Sequence, residues 1–211
     1  MPLFKIINHN DSTKIFVWKI TESFNELKKD VKLTPKSLLR INGMKSEMHQ
    51  RGFLSVRKLL ETSGYSDFDL TYDPFGKPHL NDGMHISISH SFEFSTIIIS
   101  DQTVGIDIEM QREKIILIAE KFVNENELQL LKKLNTIEYI KKLTVKWGAK
   151  EAIFKIRNEE GISFKNNIWV KTFKLPSQKT TAILNIENQK HHFNVFFDEV
   201  ENFTLVYALE K

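Results

Sequence analysis

Two acidic side chains near the middle of the chain are spaced to share one face of a β-strand. Residues 104–109 read VGIDIE, and alternate side chains of a strand point to the same side. Asp107 and Glu109 therefore share one face, while Ile106 and Ile108 share the other and point into a core. The paired carboxylates fit either an ordinary solvated strand face or a cation held between them. Oxygen-only donors of this kind suit Mg²⁺ rather than zinc.

A second polar set follows about forty residues later, in residues 147–155 (WGAKEAIFK). Trp147, Glu151 and Lys155 are spaced four residues apart, so they form one stripe on a helix. The stripe is compatible with an ordinary surface Glu–Lys pair. Gly148 is unusual, because glycine inside a helix costs about 1 kcal/mol relative to alanine. Such a glycine favours the close approach of another element, and the VGIDIE strand is a candidate.

If the strand and the helix meet, Glu151 adds a third carboxylate to Asp107 and Glu109. A Mg²⁺ ion bound by these three side chains keeps positions for water and for phosphate oxygens. Lys155, one helical turn further on, would neutralise charge on those phosphates. The pattern is therefore typical of Mg²⁺-dependent chemistry on a phosphate-bearing substrate.

The elements that position these residues predict a mixed chain with a boundary near residue 103. Two helices are predicted, at 46–63 and 136–156, and Asn124 with Glu127 resembles the capping pair of a third. Strands are predicted from alternation and β-branched content at 12–20, 85–89, 95–100 and 104–110, near 168–174, 181–187 and 192–197, and at 203–209.

The amino-acid composition of the chain argues against several classes of function. The chain has 211 residues, 41% of them hydrophobic, and a formal net charge of only +3, which argues against disorder and against nucleic-acid binding. The absence of cysteine excludes disulfides and thiolate zinc sites, and the histidines show no metal-binding spacing. Residues 1–5 lack an apolar signal core, and no apolar run is long enough to cross a membrane. We expect a cytoplasmic protein without nucleic-acid or membrane partners.

The motifs together resemble a known family. GIDIE followed by W-x-x-K-E-A-x-x-K is similar to the signature of the 4′-phosphopantetheinyl transferase superfamily. Residues 76–78 (GKP) and 88–91 (ISHS) resemble two further elements of that family, in the same order. The spacing is similar to that of the larger, two-lobed branch, the surfactin-synthetase-activating type. The resemblance runs from about residue 35 to residue 164; one departure is Gly148, where members commonly carry Ser, Thr or Cys.

The resemblance implies an α+β fold of two similar α/β lobes in a pseudo-twofold arrangement, with the active site in the cleft between them. Residues 1–103 would contact the nucleotide of coenzyme A, and residues 104–211 would carry the metal site and the catalytic helix. The implied activity is a holo-[acyl-carrier-protein] synthase type of transfer. Phosphopantetheine moves from coenzyme A to a serine hydroxyl of an apo acyl or peptidyl carrier protein, and adenosine 3′,5′-bisphosphate is released. A monomer is expected.

The resemblance also assigns roles to individual residues. Asp107, Glu109 and Glu151 would bind Mg²⁺, with Glu151 as general base, directly or through a metal-bound water. Lys155 would stabilise the reacting phosphates and contact coenzyme A. The other implied coenzyme A-binding residues are Lys36, Arg40, Arg51, Lys77, Ser89 and His90. Lys36 and Arg40 fit ordinary surface charge equally well. Residues 110–122 would help to bind an acidic carrier.

Other function classes stay open at this point. Another Mg²⁺-dependent phosphoryl-transfer enzyme, such as a nuclease, would explain the three acids but not the GKP and SHS segments. A non-catalytic module that binds coenzyme A or a carrier would have no need of Glu151 and Lys155. The near-balanced charge disfavours nucleic-acid binding through the basic residues between positions 28 and 58.

Overall fold

The computed structural model of the chain describes residues 3–211. Met1 and Pro2, at the start of the segment without a signal core, lie outside the described residues. Two compact units make up the chain, Met1–Gln102 and Thr103–Lys211, called here the N-terminal and C-terminal units. Each unit combines an antiparallel sheet with helices, so the expected α+β class is confirmed.

The N-terminal unit is built on a four-stranded antiparallel sheet in the order β1-β2-β6-β5. Its sheet strands are β1 (Leu3–Asn8), β2 (Lys14–Lys19), β5 (His85–Ser91) and β6 (Phe94–Ser100). A separate short ribbon consists of β3 (Leu70–Tyr72) and β4 (Pro78–Leu80). Its helices are α1 (Phe24–Lys29), α2 (Pro35–Gly43) and α3 (Glu47–Thr62).

Helix α3 supplies most of the helical part of the N-terminal core. It begins at the N-cap Ser46, whose hydroxyl accepts a hydrogen bond from the backbone N–H of His49. Phe53, Val56 and Leu60 recur at helical spacing and are buried, and they join strand residues of β2, β5 and β6 in one core cluster. The predicted helix at 46–63 is confirmed.

The C-terminal unit is built on a five-stranded antiparallel sheet in the order β7-β11-β10-β9-β8. The strands are β7 (Val104–Met110), β8 (Ile168–Val170), β9 (Lys179–Ile186), β10 (Gln189–Val200) and β11 (Phe203–Glu210). The helices are α4 (Lys114–Ile118), α5 (Glu125–Leu131) and α6 (Thr136–Arg157), with 3-10 turns at Ala119–Lys121 and Leu175–Ser177. All the strands predicted in both units are present, with bounds that differ by a few residues.

Helix α6 is the central element of the C-terminal unit. One face, which includes Val145, Ala149, Ala152 and Ile156, packs into the core cluster of the sheet. Small residues on this face allow the helix backbone to approach the strands closely. Another face reaches a second cluster under α4 and α5, which includes Trp147. The helix is therefore buried on two sides, and polar residues between these sides are held in fixed positions.

The predicted capping pair of α5 is confirmed for Asn124, whereas the side chain of Glu127 has a different partner. Asn124 is the N-cap, and its side chain accepts a hydrogen bond from the backbone N–H of Glu127. The Glu127 carboxylate forms an ion pair with Lys146 of α6. Glu127 thus connects α5 to α6.

Within residues 3–211, none of the helices has the length and apolar character that crossing a bilayer demands.

Candidate active site

The backbone of α6 lies directly against β7 at Gly105. An ideal Cβ atom on Gly105 would lie 1.9 Å from the carbonyl oxygen of Ala152 and 2.7 Å from its carbonyl carbon. No side chain can be accommodated at such a distance, so only glycine permits this approach. The contact places Glu151 and Lys155, which flank Ala152 on α6, beside the strand that carries Asp107.

Gly148 provides a second close approach on the same helix. A Cβ atom on Gly148 would lie 2.8 Å from Cγ2 of Val206 and 3.6 Å from Oδ2 of Asp107. The prediction that another element packs against Gly148 is confirmed. The elements in contact are β11, through Val206, and the predicted candidate β7, through Asp107.

Lys155 and Asp107 form the ion pair that joins α6 to β7. The Nζ atom of Lys155 donates to Oδ1 of Asp107 at 2.9 Å and to the carbonyl oxygen of Ile106 at 2.9 Å. Asp107 is only 4% exposed, so its charge needs such a partner. The Asp107 face of β7 is therefore covered by α6, while Ile106 and Ile108 on its other face are fully buried.

Glu151 is half-buried and electrostatically strained. Burial and the negative charges of Asp107 and Glu109 together raise the pKa of its carboxyl group to about 7, while the positive charge of Lys155 opposes the shift. The three predicted carboxylates are thus close enough to interact through their charges. A carboxyl group whose pKa lies near neutrality suits general acid–base chemistry.

The same carboxylates bear on the predicted metal site. Within residues 3–211, no group of three or more His, Asp or Glu side chains is arranged to hold a metal ion as it stands. The donor set itself fits a hard divalent cation, because all three groups are carboxylates. The repulsion that raises the pKa of Glu151 is the charge imbalance that such a cation would relieve.

A cavity of about 430 Å³ lies beside Glu151. Its other lining residues are Ile118, Lys121, Trp147 and Phe164. The ring centroids of Trp147 and Phe164 are 5.5 Å apart, so these two side chains form one aromatic wall. The cavity is mainly apolar, with one carboxylate and one ammonium group at its surface.

Two buried lysines of α6 were missed in the sequence interpretation. Lys150 is 3% exposed, and its Nζ donates to the backbone carbonyls of Phe164 and Ile168; burial lowers its pKa to about 7. Lys146, also buried, donates to the carbonyl of Val170. The available signal was two lysines one turn apart among the apolar residues of the helix.

The predicted nucleotide-binding residues all belong to the N-terminal unit apart from Lys155. Lys36 and Arg40 lie on α2, and both are exposed. The guanidinium of Arg40 lies 5.5 Å from the ring centroid of Phe53 and 5.6 Å from that of Tyr72. Because Tyr72 pairs with Pro78 across the β3–β4 ribbon, Arg40 approaches the turn that carries Lys77.

The turn before Pro78 is ordered by Asp73. Its Oδ1 accepts hydrogen bonds from the backbone N–H groups of Phe75 and Lys77, both at 2.9 Å. Gly76 has a φ of +85°, a left-handed conformation that favours glycine. The GKP segment therefore forms a tight turn that fixes the backbone of Lys77.

Arg51 lies in the first turns of α3, and His90 of β5 packs on the same part of that helix. Nη2 of Arg51 donates to the carbonyl of Ile20 at 3.1 Å, and its Nε is buried without a hydrogen-bond partner among the described residues. A Cβ atom on Gly52 would lie 3.1 Å from Nδ1 of His90, so the His90 ring packs on the backbone of α3 at Gly52, the residue that follows Arg51. Ser89, which precedes His90 on β5, is buried.

A buried network fixes the helix that carries Lys36 and Arg40. Asp67 accepts hydrogen bonds from the backbone N–H and hydroxyl of Thr34, from the hydroxyl of Ser37 and from Nε of Arg57, at 2.8–2.9 Å. Thr34 is the N-cap of α2, and Arg57 belongs to α3. Asp67 therefore ties the start of α2 to α3.

Comparisons with known proteins agree with these features. The profile of the family described as "ACPS: 4'-phosphopantetheinyl transferase superfamily" matches residues 103–208, which is half of the chain. The chain is 30% identical over 152 residues to the 4′-phosphopantetheinyl transferase gsp of Aneurinibacillus migulanus, and the alignment covers 71% of this chain and 62% of that protein. This chain thus spans less than two thirds of that relative's length.

A solved structure, the holo-[acyl-carrier-protein] synthase (AcpS) of Thermotoga maritima, superposes with a TM-score of 0.42 at 18% sequence identity, covering 52% of this chain and 62% of that one. The match of the superfamily profile extends over β7, with Asp107 and Glu109, and over all of α6, with Glu151 and Lys155. The chain belongs to the 4′-phosphopantetheinyl transferase superfamily.

Proposed function

We propose that this protein transfers the phosphopantetheine group of coenzyme A to a serine hydroxyl of an apo acyl or peptidyl carrier protein, in the manner of a holo-[acyl-carrier-protein] synthase. Adenosine 3′,5′-bisphosphate is the second product. The observation that carries the proposal is Glu151, which is half-buried beside Asp107 and Glu109 and has a pKa of about 7. Membership of the superfamily supports the reaction class.

Glu151 is the proposed general base. It accepts the proton of the serine hydroxyl as the oxygen attacks the β-phosphate of coenzyme A. A base works best when its pKa lies near the working pH, and in the metal-free protein burial with two neighbouring carboxylates provides that pKa. The bond between the β-phosphate and the α-phosphate oxygen breaks, and the adenosine bisphosphate leaves with that oxygen.

Lys155 is the proposed phosphate-binding cation. Two of its donors are used by Asp107 and by the carbonyl of Ile106. An ammonium group has three donors, so one donor is left for a phosphate oxygen. Fixed positive charge of this kind stabilises the phosphates as charge develops on them.

Asp107, Glu109 and Glu151 are proposed to hold Mg²⁺, which when bound would neutralise charge on the pyrophosphate of coenzyme A. The same three residues carry the repulsion described above, so binding of a divalent cation should stabilise the folded protein. The metal would leave Lys155 in place, because that residue is also held by a backbone carbonyl.

The N-terminal unit is proposed to bind the nucleotide part of coenzyme A. The basic side chains of Arg51 and Arg40 are held by defined contacts, with the carbonyl of Ile20 and with two aromatic rings respectively. Preorganised cations of this kind suit phosphate recognition. The proposed set also contains Lys36, Lys77, Ser89 and His90. We further propose that the protein is monomeric and cytoplasmic.

Intact-mass measurement of carrier proteins tests this function. A panel of apo carriers from fatty-acid, polyketide and peptide synthesis is incubated with the protein, coenzyme A and Mg²⁺. We expect at least one carrier to gain the mass of one phosphopantetheine group. Glu151→Gln should abolish the gain, whereas Glu125→Gln, at an exposed position of α5, should leave it unchanged.

Two outcomes would contradict the proposal. Binding of coenzyme A without transfer to any carrier would indicate a non-catalytic module, and cleavage of other phosphate esters alone would indicate a different phosphoryl-transfer enzyme. The metal is tested separately by thermal unfolding of chelator-treated protein, to which Mg²⁺ is then added. Mg²⁺ should raise the Tm of the wild-type protein and have less effect on Asp107→Asn.

A further inference from the structure

Lys150 connects α6 to the chain segment that leads into β8. Its side chain is almost fully buried, and its Nζ donates to the carbonyl oxygens of Phe164 and Ile168. Both acceptors belong to the segment after α6. A buried ammonium group is costly unless it is hydrogen-bonded, so these two bonds strongly favour one placement of the segment on the helix.

Lys146 makes a comparable connection one helical turn earlier. Its Nζ donates to the carbonyl of Val170 at 3.0 Å and forms the ion pair with Glu127. It also lies 5.5 Å from the ring centroid of Phe173. The two lysines share chemistry and burial, but their acceptors differ: only Lys150 bonds the backbone of Phe164.

The side chain of Phe164 forms part of the cavity beside Glu151. Its ring lies 5.5 Å from Trp147 and 5.8 Å from Phe154, centroid to centroid. The next residues are held from the other side, since Asn167 exchanges hydrogen bonds with the backbone of Asn185. The bond from Lys150 is a polar contact that joins the backbone of Phe164 directly to α6.

We propose that Lys150 is a positioning residue, which holds the Phe164 ring against Trp147 and thereby sets the width of the cavity in which a substrate group is held beside Glu151. This inference rests on the proposed function. Lys150 itself touches no reacting atom. Glu151 and Lys155 are placed by the independent contact between Gly105 and Ala152, so the catalytic groups keep their positions when Lys150 is changed.

Steady-state kinetics of Lys150→Met, Lys146→Met and Phe164→Ala test the proposal. If Lys150 acts through Phe164, both Lys150→Met and Phe164→Ala raise KM about tenfold for the same substrate, coenzyme A or carrier, and change kcat less than about threefold. Lys146→Met is the matched control, because it removes an equally buried lysine that does not bond Phe164. It should keep the wild-type KM even where it lowers the Tm by as much as Lys150→Met does.

A spectroscopic readout makes the test independent of turnover. In a Trp18→Phe, Trp169→Phe background, Trp147 is the single tryptophan left of the three. Lys150→Met should increase its quenching by acrylamide about twofold, because the Phe164 ring no longer covers it, and Lys146→Met should not. Lys150→Gln, which keeps a donor, should give a smaller increase and serves if Lys150→Met does not fold.

The outcomes separate this inference from the proposed function. A wild-type protein that modifies no carrier contradicts the function, while the quenching of Trp147 still decides the role of Lys150. Wild-type quenching and KM in folded Lys150→Met or Lys150→Gln would overturn the inference. Equal effects of Lys146→Met and Lys150→Met on quenching and KM would overturn it as well, because they would indicate general loosening.

Discussion

The carbonyl oxygen of Ala152 lies where a side chain on Gly105 would begin, 1.9 Å from an ideal Cβ position. Because the contact is between two backbones, no change of rotamer could relieve the clash that a larger residue at position 105 would make. Because Gly105 has no side chain, the strand that carries Asp107 and the helix that carries Lys155 can lie in direct contact. The ion pair between those residues, 2.9 Å long, depends on the same approach.

Gly105→Ala should disrupt the site through this contact. The added methyl group forces α6 away from β7, and we expect a loss of about 3 kcal/mol or more in the free energy of unfolding. Separation of Lys155 and Glu151 from Asp107 should also reduce carrier modification below detection. Urea denaturation followed by circular dichroism and the mass assay measure the two effects.

Gly43→Ala is the control for this substitution. Gly43 ends α2, and a Cβ atom there would have no neighbour within 4 Å. The change should be neutral or stabilise by up to about 1 kcal/mol. If Gly105→Ala were as stable and active as Gly43→Ala, the close approach of α6 to β7 would be wrong.

The substitution Gly148→Ser tests the second approach. A Cβ atom at this position meets Cγ2 of Val206 at 2.8 Å, and Val206 is buried and stiff at χ1. We expect Gly148→Ser to lower the free energy of unfolding by about 1–3 kcal/mol. Serine, one of the residues that the family commonly carries at this position, is thus expected to be unfavourable in this chain, because Val206 occupies the space.

A double-mutant cycle with Val206→Ala identifies the cause. Val206→Ala alone should destabilise through a cavity, but Gly148→Ser combined with Val206→Ala should lose less than the sum of the two single changes, by about 1 kcal/mol. Denaturation of the four proteins measures the coupling. Strict additivity would show that Val206 does not limit the size of residue 148.

The motif-bearing elements could be predicted because their signals are local. The strand predicted at 104–110 is β7 as observed, and the helix predicted at 136–156 is α6 with one residue added. Alternation, an Asn cap and helical spacing are all read from neighbouring residues. The glycine in WGAKEAIFK also predicted a close approach, since its cost in a helix requires a reason.

Elements and contacts that depend on distant residues were missed. Strand β1 exposes Phe4 and Ile6, so it lacks the alternation of a half-buried strand, and its pairing with β2 decides its structure. Helix α2 carries the exposed Leu39, which obscures its apolar face. Hydropathy alone would place Lys150 at the surface. Its burial depends on two carbonyl acceptors, which lie fourteen and eighteen residues further along the chain.

Asp67 should be essential to the stability of the N-terminal unit. Its carboxylate accepts four hydrogen bonds and pairs with the buried Arg57. In Asp67→Asn the amide would face donors from Thr34 or Ser37, and the Arg57 charge would be left unpaired. We expect a loss of about 3–5 kcal/mol in the free energy of unfolding, measured by urea denaturation.

A substitution of Arg57, the ion-pair partner of Asp67, provides the control. Arg57→Met removes the charge that Asp67 compensates, and Asp67→Asn with Arg57→Met should be clearly more stable than the sum of the single losses predicts. If the double variant loses the full sum, the two residues act independently and the Arg57–Asp67 pair does not hold α2 on α3.

The stability of the metal-free protein should depend on pH through Glu151. Its folded pKa of about 7 lies above the ordinary value of 4.5, so between these pH values the native state binds more protons than the unfolded state. The contribution of the protonated carboxyl to stability is complete below about pH 4.5 and is lost as the pH rises through about 7. Glu151→Gln mimics the protonated group, so it should be more stable than the wild-type protein by only about 1 kcal/mol near pH 5 and by up to about 3 kcal/mol at pH 8. Urea denaturation at both pH values, in chelating buffer, measures the difference, and Glu125→Gln should show none.

An equal difference at pH 5 and pH 8 would mean that the Glu151 carboxyl ionises at its ordinary pKa, and the electrostatic strain around Asp107 and Glu109 would then be absent.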